Sequence, residues 1–186
     1  WTKKHSFCGV LGFSGTPYLE KVEIVKLTDS FLIKNTDLSN VVYYYPLIKG
    51  VGNFLKVPEV KYADNATETI VKNGVKEFLD KYRNTVYANG TCAKLAIYCG
   101  KIETLEELIY PLVTSIVSEY GRNPTESILK YHGGNKAYPQ PEGSETEFDS
   151  LDTDFSKIRI VLLVQIGKEG WDCKSLTGVI LPQKGV

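Results

Sequence analysis

The sequence has no methionine, no excess of charge of either sign and no long apolar run. Its 186 residues carry 22 basic and 22 acidic side chains, so the formal net charge is zero. This balance does not indicate a wholly basic nucleic-acid-binding protein or an acidic tail, although a local basic groove stays open. No apolar run approaches the roughly 20 residues of a membrane-spanning helix, and no signal peptide is recognisable. We therefore expect a cytoplasmic protein that does not enter the membrane, and part of a longer chain, because the sequence begins at Trp1.

Cysteine pairs at metal-ligand spacing are also absent. Cys8, Cys92, Cys99 and Cys173 are scattered without a C-x-x-C pair, so a zinc site is not expected. All but Cys173 lie in or beside apolar runs, which favours small core residues in a reducing compartment. The acidic residues between positions 135 and 154 do not have the spacing of a calcium loop and favour a solvated face. We expect no metal ligands in this chain.

Phosphate-binding and nucleophile motifs are missing too. No G-x-x-x-x-G-K-[ST] segment occurs, and the glycines at positions 9, 12 and 15 do not make G-x-G-x-x-G. The segment Gly12 to Thr16 lacks the second glycine of a nucleophile elbow. Taken alone, this region favours a buried strand that ends in a turn before Pro17.

The strongest pattern is the near-continuous apolar run at residues 158–164, which predicts a strand buried on both faces of a parallel sheet. A polar loop with two glycines, residues 167–172, separates it from a second apolar run at residues 178–181. Ligands bind beyond the carboxyl ends of the strands in open α/β sheets, so this loop is a candidate site. On pattern alone, a strand-to-helix turn whose glycines only relieve backbone strain is the favoured interpretation.

The rest of the chain alternates between strands and helices. The predicted elements are short strands over 22–27 and 30–33, a helix over 65–82, a strand over 94–99, a helix over 104–120, a strand over 127–131, and a surface loop or short exposed helix over 135–154. Thr104 and Glu107 have the spacing of a capping box, and Pro111 should kink the helix or mark its first turn. This alternation predicts an α/β fold with a parallel sheet.

Three segments, in this order, resemble motifs of one enzyme family. The segment LGFSGTP at residues 11–17 resembles helicase motif III, and residues 94–100 with the helix that follows resemble motif IV. The segment QIGKEGWD at residues 165–172 resembles motif V in its Glu-Gly-Trp-Asp form, although Val164 and Gln165 stand where the family has Ser or Thr. The chain thus resembles superfamily 2 helicases and translocases, most closely the ATPase (restriction, Res) subunit of type III restriction enzymes.

The resemblance implies a RecA-like parallel sheet with flanking helices, as in other P-loop NTPase-like domains. Residues 1–57 would be the end of the first RecA-like domain and a connector, and residues 58–186 an incomplete second domain. It implies ATP and Mg²⁺ as cofactors, and duplex DNA and a methyltransferase (modification) subunit as partners. The full protein would hydrolyse ATP to move along DNA, and a nuclease domain elsewhere would cut it.

The resemblance also implies roles for residues of the two better-matched motifs. These are Ser14, Gly15 and Thr16 for coupling nucleotide state to domain movement, Gly170 and Asp172 for approaching the ATP ribose, and Gln165, Ile166 and Gly167 for presenting backbone groups to a nucleic-acid phosphate. Backbone N–H groups in a glycine loop can cradle phosphate, and a carboxylate can accept hydrogen bonds from ribose hydroxyls.

Several parts needed for phosphoryl transfer are missing from the sequence. It has no P-loop lysine, no acidic box for Mg²⁺ and no arginine-bearing motif VI, which is expected beyond Val186. We therefore expect no catalytic residue in this chain and no ATP turnover by the chain alone. The alternative is a catalytically silent α/β interaction or scaffold module that keeps the helicase fold. A third hypothesis, an unrelated nucleotide-binding α/β protein, would leave three motifs in helicase order to chance.

Overall fold

A computed structural model describes residues 22–28, 31–36, 45, 47–51, 53–54, 57–63, 65–165 and 171–182. The chain divides into two compact units, Trp1–Tyr62 and Ala63–Val186. In the first unit, strand β1 (Val22–Thr28) pairs antiparallel with strand β2 (Phe31–Thr36), close to the two short strands predicted there. A single helical turn, α1 (Leu47–Gly50), follows them.

The second unit is built on a four-stranded parallel sheet. Its strands are β3 (Lys94–Tyr98), β4 (Ile128–Tyr131), β5 (Ile160–Leu163) and β6 (Leu176–Ile180). Their order across the sheet is β4-β5-β3-β6, and every neighbouring pair is parallel. The predicted α/β fold with helices flanking a parallel sheet is confirmed at this level.

Strand β5 lies inside the sheet, between β4 and β3, and all four of its residues are buried. Ile160 and Leu162 join one cluster of buried side chains, whereas Val161 and Leu163 join another. Successive side chains of a strand point to opposite faces, so a strand covered on both sides must be apolar at every position. This is the physical reason for the continuous apolar run.

Helices cover both faces of the sheet. Helix α2 (Thr67–Tyr82) buries Val71, Val75, Phe78 and Leu79 in the larger cluster, which it shares with α3 (Tyr110–Glu119). These four residues recur at helical spacing, as the sequence predicted. Helix α5 (Ser144–Asp149) packs against β4, and Phe148 joins the smaller cluster. Another short helix, α4 (Pro124–Ser127), leads into β4. Of the described helices, none is long and apolar enough to cross a membrane.

The entry into α3 differs from the prediction. Residues Thr104–Ile109 form π-helical turns, and α3 begins at Tyr110 with Pro111 in its first turn. A proline has no N–H to complete the hydrogen-bond ladder of an α-helix, which is compatible with the wider turns before it. The predicted capping box is wrong: Glu103 already has helical backbone angles, so Thr104 lies inside the helix, and no side-chain hydrogen bond caps this segment.

Candidate functional site

The carboxyl ends of the four strands lie at one edge of the sheet because all the strands are parallel. Gln165 follows β5 at this edge, is exposed, and is the one described non-glycine residue with positive φ, at 59°. The left-handed region is uncommon for a residue with a Cβ, and such residues often mark turns at functional sites. The chain therefore turns sharply where β5 ends, at the start of the predicted motif V.

Trp171 and Asp172 begin the next described segment, which leads into β6. Asp172 is exposed, and its carboxylate has no hydrogen bond or ion pair within the part of the chain that the structure describes. The Trp171 ring stacks on Phe148 at 4.8 Å between centroids, and Phe148 stacks on Tyr131 at 4.1 Å. Trp171 is thus packed on the fold, whereas the side chain of Asp172 is exposed.

Asp152 fixes the segment that follows Asp172. Its carboxylate accepts hydrogen bonds from the backbone N–H of Lys174 at 2.6 Å and from the N–H and Oγ of Ser175 at 3.0 and 2.6 Å. Burial acts to raise the pKa of Asp152, but the hydrogen bonds from Ser175 and Lys174 together hold it below its usual value. The expectation of a solvated acidic face is therefore wrong at Asp152, which anchors the chain just before β6.

The end of β4 carries a buried polar network. His132 is fully buried, and its Nδ1 accepts from the N–H of Gly134 at 3.1 Å. The ring proton therefore lies on Nε2, which donates to Oε1 of Glu106 at 3.1 Å. Lys130 Nζ lies 3.0 and 2.8 Å from the two Glu106 oxygens. Because both ring nitrogens are occupied, His132 is a structural residue here and not a free base.

The helix before α3 holds the loop after β4 at two more points. Glu103 accepts from Asn135 Nδ2 at 2.8 Å, and Glu107 accepts from the hydroxyl of Tyr138 at 2.7 Å. The hydrogen bond to Glu107 raises the pKa of Tyr138. Glu106 is hydrogen-bonded to His132, so three glutamates of one helical segment hold this loop. The loop lies at the edge of the sheet where ligands bind in α/β proteins.

Two of the described cysteines, Cys99 and Cys173, are not suited to nucleophilic chemistry. Burial raises the pKa of Cys99 to about 12, and burial is also the main cause of the raised pKa of Cys173. Both thiols are therefore protonated near neutral pH, whereas the thiolate is the reactive form. Among the described residues, no three His, Cys, Asp or Glu side chains gather as a metal site.

The structure describes two of the eight residues to which the sequence assigned a role. Gln165 lies at the carboxyl end of β5, and Asp172 lies on the exposed return toward β6. The other six, Ser14, Gly15, Thr16, Ile166, Gly167 and Gly170, lie outside the described residues. Sequence reasoning missed Asp152 and Glu106, whose partners are more than 20 positions away along the chain. No local pattern distinguishes either residue from its acidic neighbours.

No protein-family model, curated protein or solved structure matches this chain.

Proposed function

We propose that this chain is part of an ATP-dependent DNA helicase or translocase that resembles the restriction subunit of a type III restriction-modification enzyme. The observation that carries the proposal is that β5, which the segment QIGKEGWD follows in the sequence, is an internal strand of an all-parallel sheet. The crevice beyond such strand ends is where open α/β folds bind nucleotides. Residues 58–186 are then the second RecA-like domain, and residues 1–57 are the end of the first domain and a connector.

The turn at Gln165 supports contact with a nucleic-acid phosphate. A loop that contains a residue in the left-handed region can present backbone N–H groups to one side, and concave backbone sites of this kind bind anions. In this proposal Gln165, Ile166 and Gly167 hold a DNA phosphate through backbone groups. Ser14, Gly15 and Thr16 couple the nucleotide state to domain movement, and a methyltransferase subunit is a further partner.

The exposed carboxylate of Asp172 supports contact with the ATP ribose. It can accept hydrogen bonds from ribose hydroxyls, and Gly170 would let the backbone approach the nucleotide closely. Asp152 would keep this segment in place by anchoring Lys174 and Ser175. When bound, ATP supplies the free energy for movement. The described residues do not offer a carboxylate set that fits Mg²⁺, so no hydrolytic step is assigned to them.

The test measures ATP hydrolysis by the full protein, with and without duplex DNA, for the wild type, Asp172→Ala and Asp149→Ala. Asp149 is an exposed aspartate on α5 and is the matched control. We expect DNA to stimulate turnover. Loss of a hydrogen bond to a charged group should lower kcat/KM of Asp172→Ala by about 10-fold or more, with Asp149→Ala close to wild type.

Two other outcomes would count against this proposal. If the full protein hydrolyses no ATP under any condition, the catalytically silent interaction module is the better description. If Asp172→Ala and Asp149→Ala hydrolyse ATP at the same rate as the wild type, the protein is an ATPase, but Asp172 does not contact the nucleotide.

A further inference from the structure

The chain has only three arginines, and the fold brings all of them to one edge of the sheet. Arg83 follows the end of α2, Arg122 follows the end of α3, and Arg159 precedes β5. In a parallel α/β unit the helices end, and the strands begin, at the amino edge of the sheet. This edge lies opposite the one that carries Gln165.

The three arginines converge on the short connection after α2. A terminal nitrogen of Arg122 donates to the carbonyl of Arg83 and lies 3.4 Å from Oδ1 of Asn84. Arg159 Nη1 donates to the carbonyl of Thr85 at 2.9 Å. The guanidinium of Arg83 lies 5.6 Å from the centre of the Tyr120 ring.

None of these arginines forms an ion pair with a carboxylate within the described part of the chain, whereas the neighbouring lysines do. Lys76 pairs with Glu119 at 2.9 Å, and Lys157 pairs with Glu126 at 3.0 Å. The remaining acidic neighbours are Asp80, which accepts from the Tyr120 hydroxyl, and Asp154. Burial lowers the pKa of Arg159, and repulsion by the nearby positive charge of Arg122 lowers it further.

The arginines line two clefts that share Gly121 and Arg122. The first cleft, of about 710 Å³, is also lined by Lys76, Arg83, Asn84, Tyr120 and Glu119, the partner of Lys76. Arg159 also lines the second cleft, of about 370 Å³. Gly121 has a φ of 69°, and no atom lies within 4 Å of the place where a Cβ would be. Gly121 therefore leaves free space at the junction of the two clefts.

We propose that Arg83, Arg122 and Asn84, supported by the buried charge of Arg159, form a binding site for a phosphate group. A guanidinium has five N–H donors in a planar fork that matches phosphate oxygens. The described hydrogen bonds engage one terminal nitrogen of Arg122 and one of Arg159, so donors remain for a ligand. The phosphate belongs either to a nucleic-acid backbone or to a smaller phosphate compound.

The test titrates the full protein with inorganic phosphate in a calorimeter and compares Arg83→Gln, Arg122→Gln and Lys136→Gln with wild type. Lys136 is exposed on the loop after β4, at the opposite edge, and is the control for the loss of one positive charge. We expect each arginine variant to bind phosphate about fivefold more weakly or worse, and Lys136→Gln to change the affinity less than about twofold.

Two further variants separate ligand binding from folding. Arg122 also caps a backbone carbonyl at the end of α2, so Arg122→Lys, which keeps the charge, should recover part of the lost affinity. Asp154→Asn removes a negative charge from the second cleft and should strengthen phosphate binding by about twofold. Thermal unfolding of each variant shows whether it has kept its fold.

A second titration, with duplex DNA that lacks terminal phosphates, identifies the source of the phosphate. A parallel loss of duplex affinity in the arginine variants, with a smaller salt dependence, indicates the nucleic-acid backbone. Unchanged duplex affinity with weakened phosphate binding indicates a smaller compound, and the site stands in both cases. It is refuted if wild type does not bind phosphate, or if the arginine variants bind it as Lys136→Gln does. Neither result depends on the ATPase test at Asp172.

Discussion

The carboxylate of Asp152 accepts three hydrogen bonds from Lys174 and Ser175, the two residues that lead into β6. Hydrogen bonds to a charged acceptor are stronger than those between neutral groups, and removing the acceptor leaves their donors without a partner. A single side chain therefore fixes the position from which Asp172 and β6 extend.

Replacing Asp152 tests this role at the residue scale. Asp152→Ala should lower the free energy of unfolding by about 2 kcal/mol, measured by urea titration. Asp149→Ala, on an exposed site of α5, should change it by less than about 0.5 kcal/mol. Equal effects of the two substitutions would show that the hydrogen bonds to Asp152 contribute nothing.

The same carboxylate gives a pH dependence with a defined sign. Its pKa is lowered in the folded protein, so its stabilisation is fully present above the unfolded pKa of about 4. The stabilisation is lost as the pH falls through the lower folded pKa. The difference in unfolding free energy between wild type and Asp152→Asn should therefore be constant near neutral pH and shrink below about pH 4.

At the scale of elements, the loop after β4 is fixed by its own backbone as well as by three glutamates. Gly134 has a φ of 75°, and its N–H donates to the buried ring of His132. A Cβ at Gly134 would lie 2.5 Å from the backbone nitrogen of Gln140. Gly133, its neighbour, has no atom within 4 Å of the corresponding position. A side chain therefore fits at Gly133 but not at Gly134.

Alanine at each glycine tests how rigidly this loop is held. Gly134→Ala should destabilise the protein by about 2 kcal/mol or more, because it combines left-handed strain with a backbone clash. Gly133→Ala should cost no more than about 0.5 kcal/mol. Urea unfolding of both variants checks this. If Gly134→Ala is as stable as Gly133→Ala, the loop can move aside and the glutamates do not fix it.

At the scale of the whole molecule, the two clusters of buried apolar residues that the described part of the chain forms both belong to the second unit. The parallel sheet, α2, α3 and α5 all lie within Ala63–Val186. A parallel sheet is stable only when both faces are covered, and these helices cover them with residues from the same unit. The second unit should therefore fold without the first.

Expression of residues 63–186 alone tests this expectation. We expect a single cooperative transition in urea, followed by circular dichroism and by tryptophan fluorescence. Trp171 is the one tryptophan in this piece. Because its ring stacks on Phe148, its fluorescence depends on whether the smaller cluster is folded. Phe148→Ala should alter the folded-state fluorescence without abolishing the transition. A broad, non-cooperative transition of the unsubstituted piece would contradict the prediction.

The secondary structure was largely predictable, whereas the side-chain partners were not. The apolar run at residues 158–164 predicted β5, and the spacing of Val71, Val75, Phe78 and Leu79 predicted α2. The predicted capping box was wrong because Glu103, the residue before Thr104, already has helical backbone angles. At the candidate site, Gln165 and Asp172 came from a motif, but Asp152 and Glu106 have no distinguishing local pattern.

The sequence by itself determined the kind of each main element and the parallel character of the sheet. The spacing of apolar residues and a continuous apolar run are local properties of the chain, and such a run is typical of a strand that is covered on both faces. Only the tertiary structure decided the strand order β4-β5-β3-β6, the hydrogen bonds of Asp152 and the meeting of the three arginines. These features depend on contacts between residues that lie at least 22 positions apart along the chain. A folded chain selects such contacts by packing and by satisfying its buried polar groups, which a local pattern does not encode.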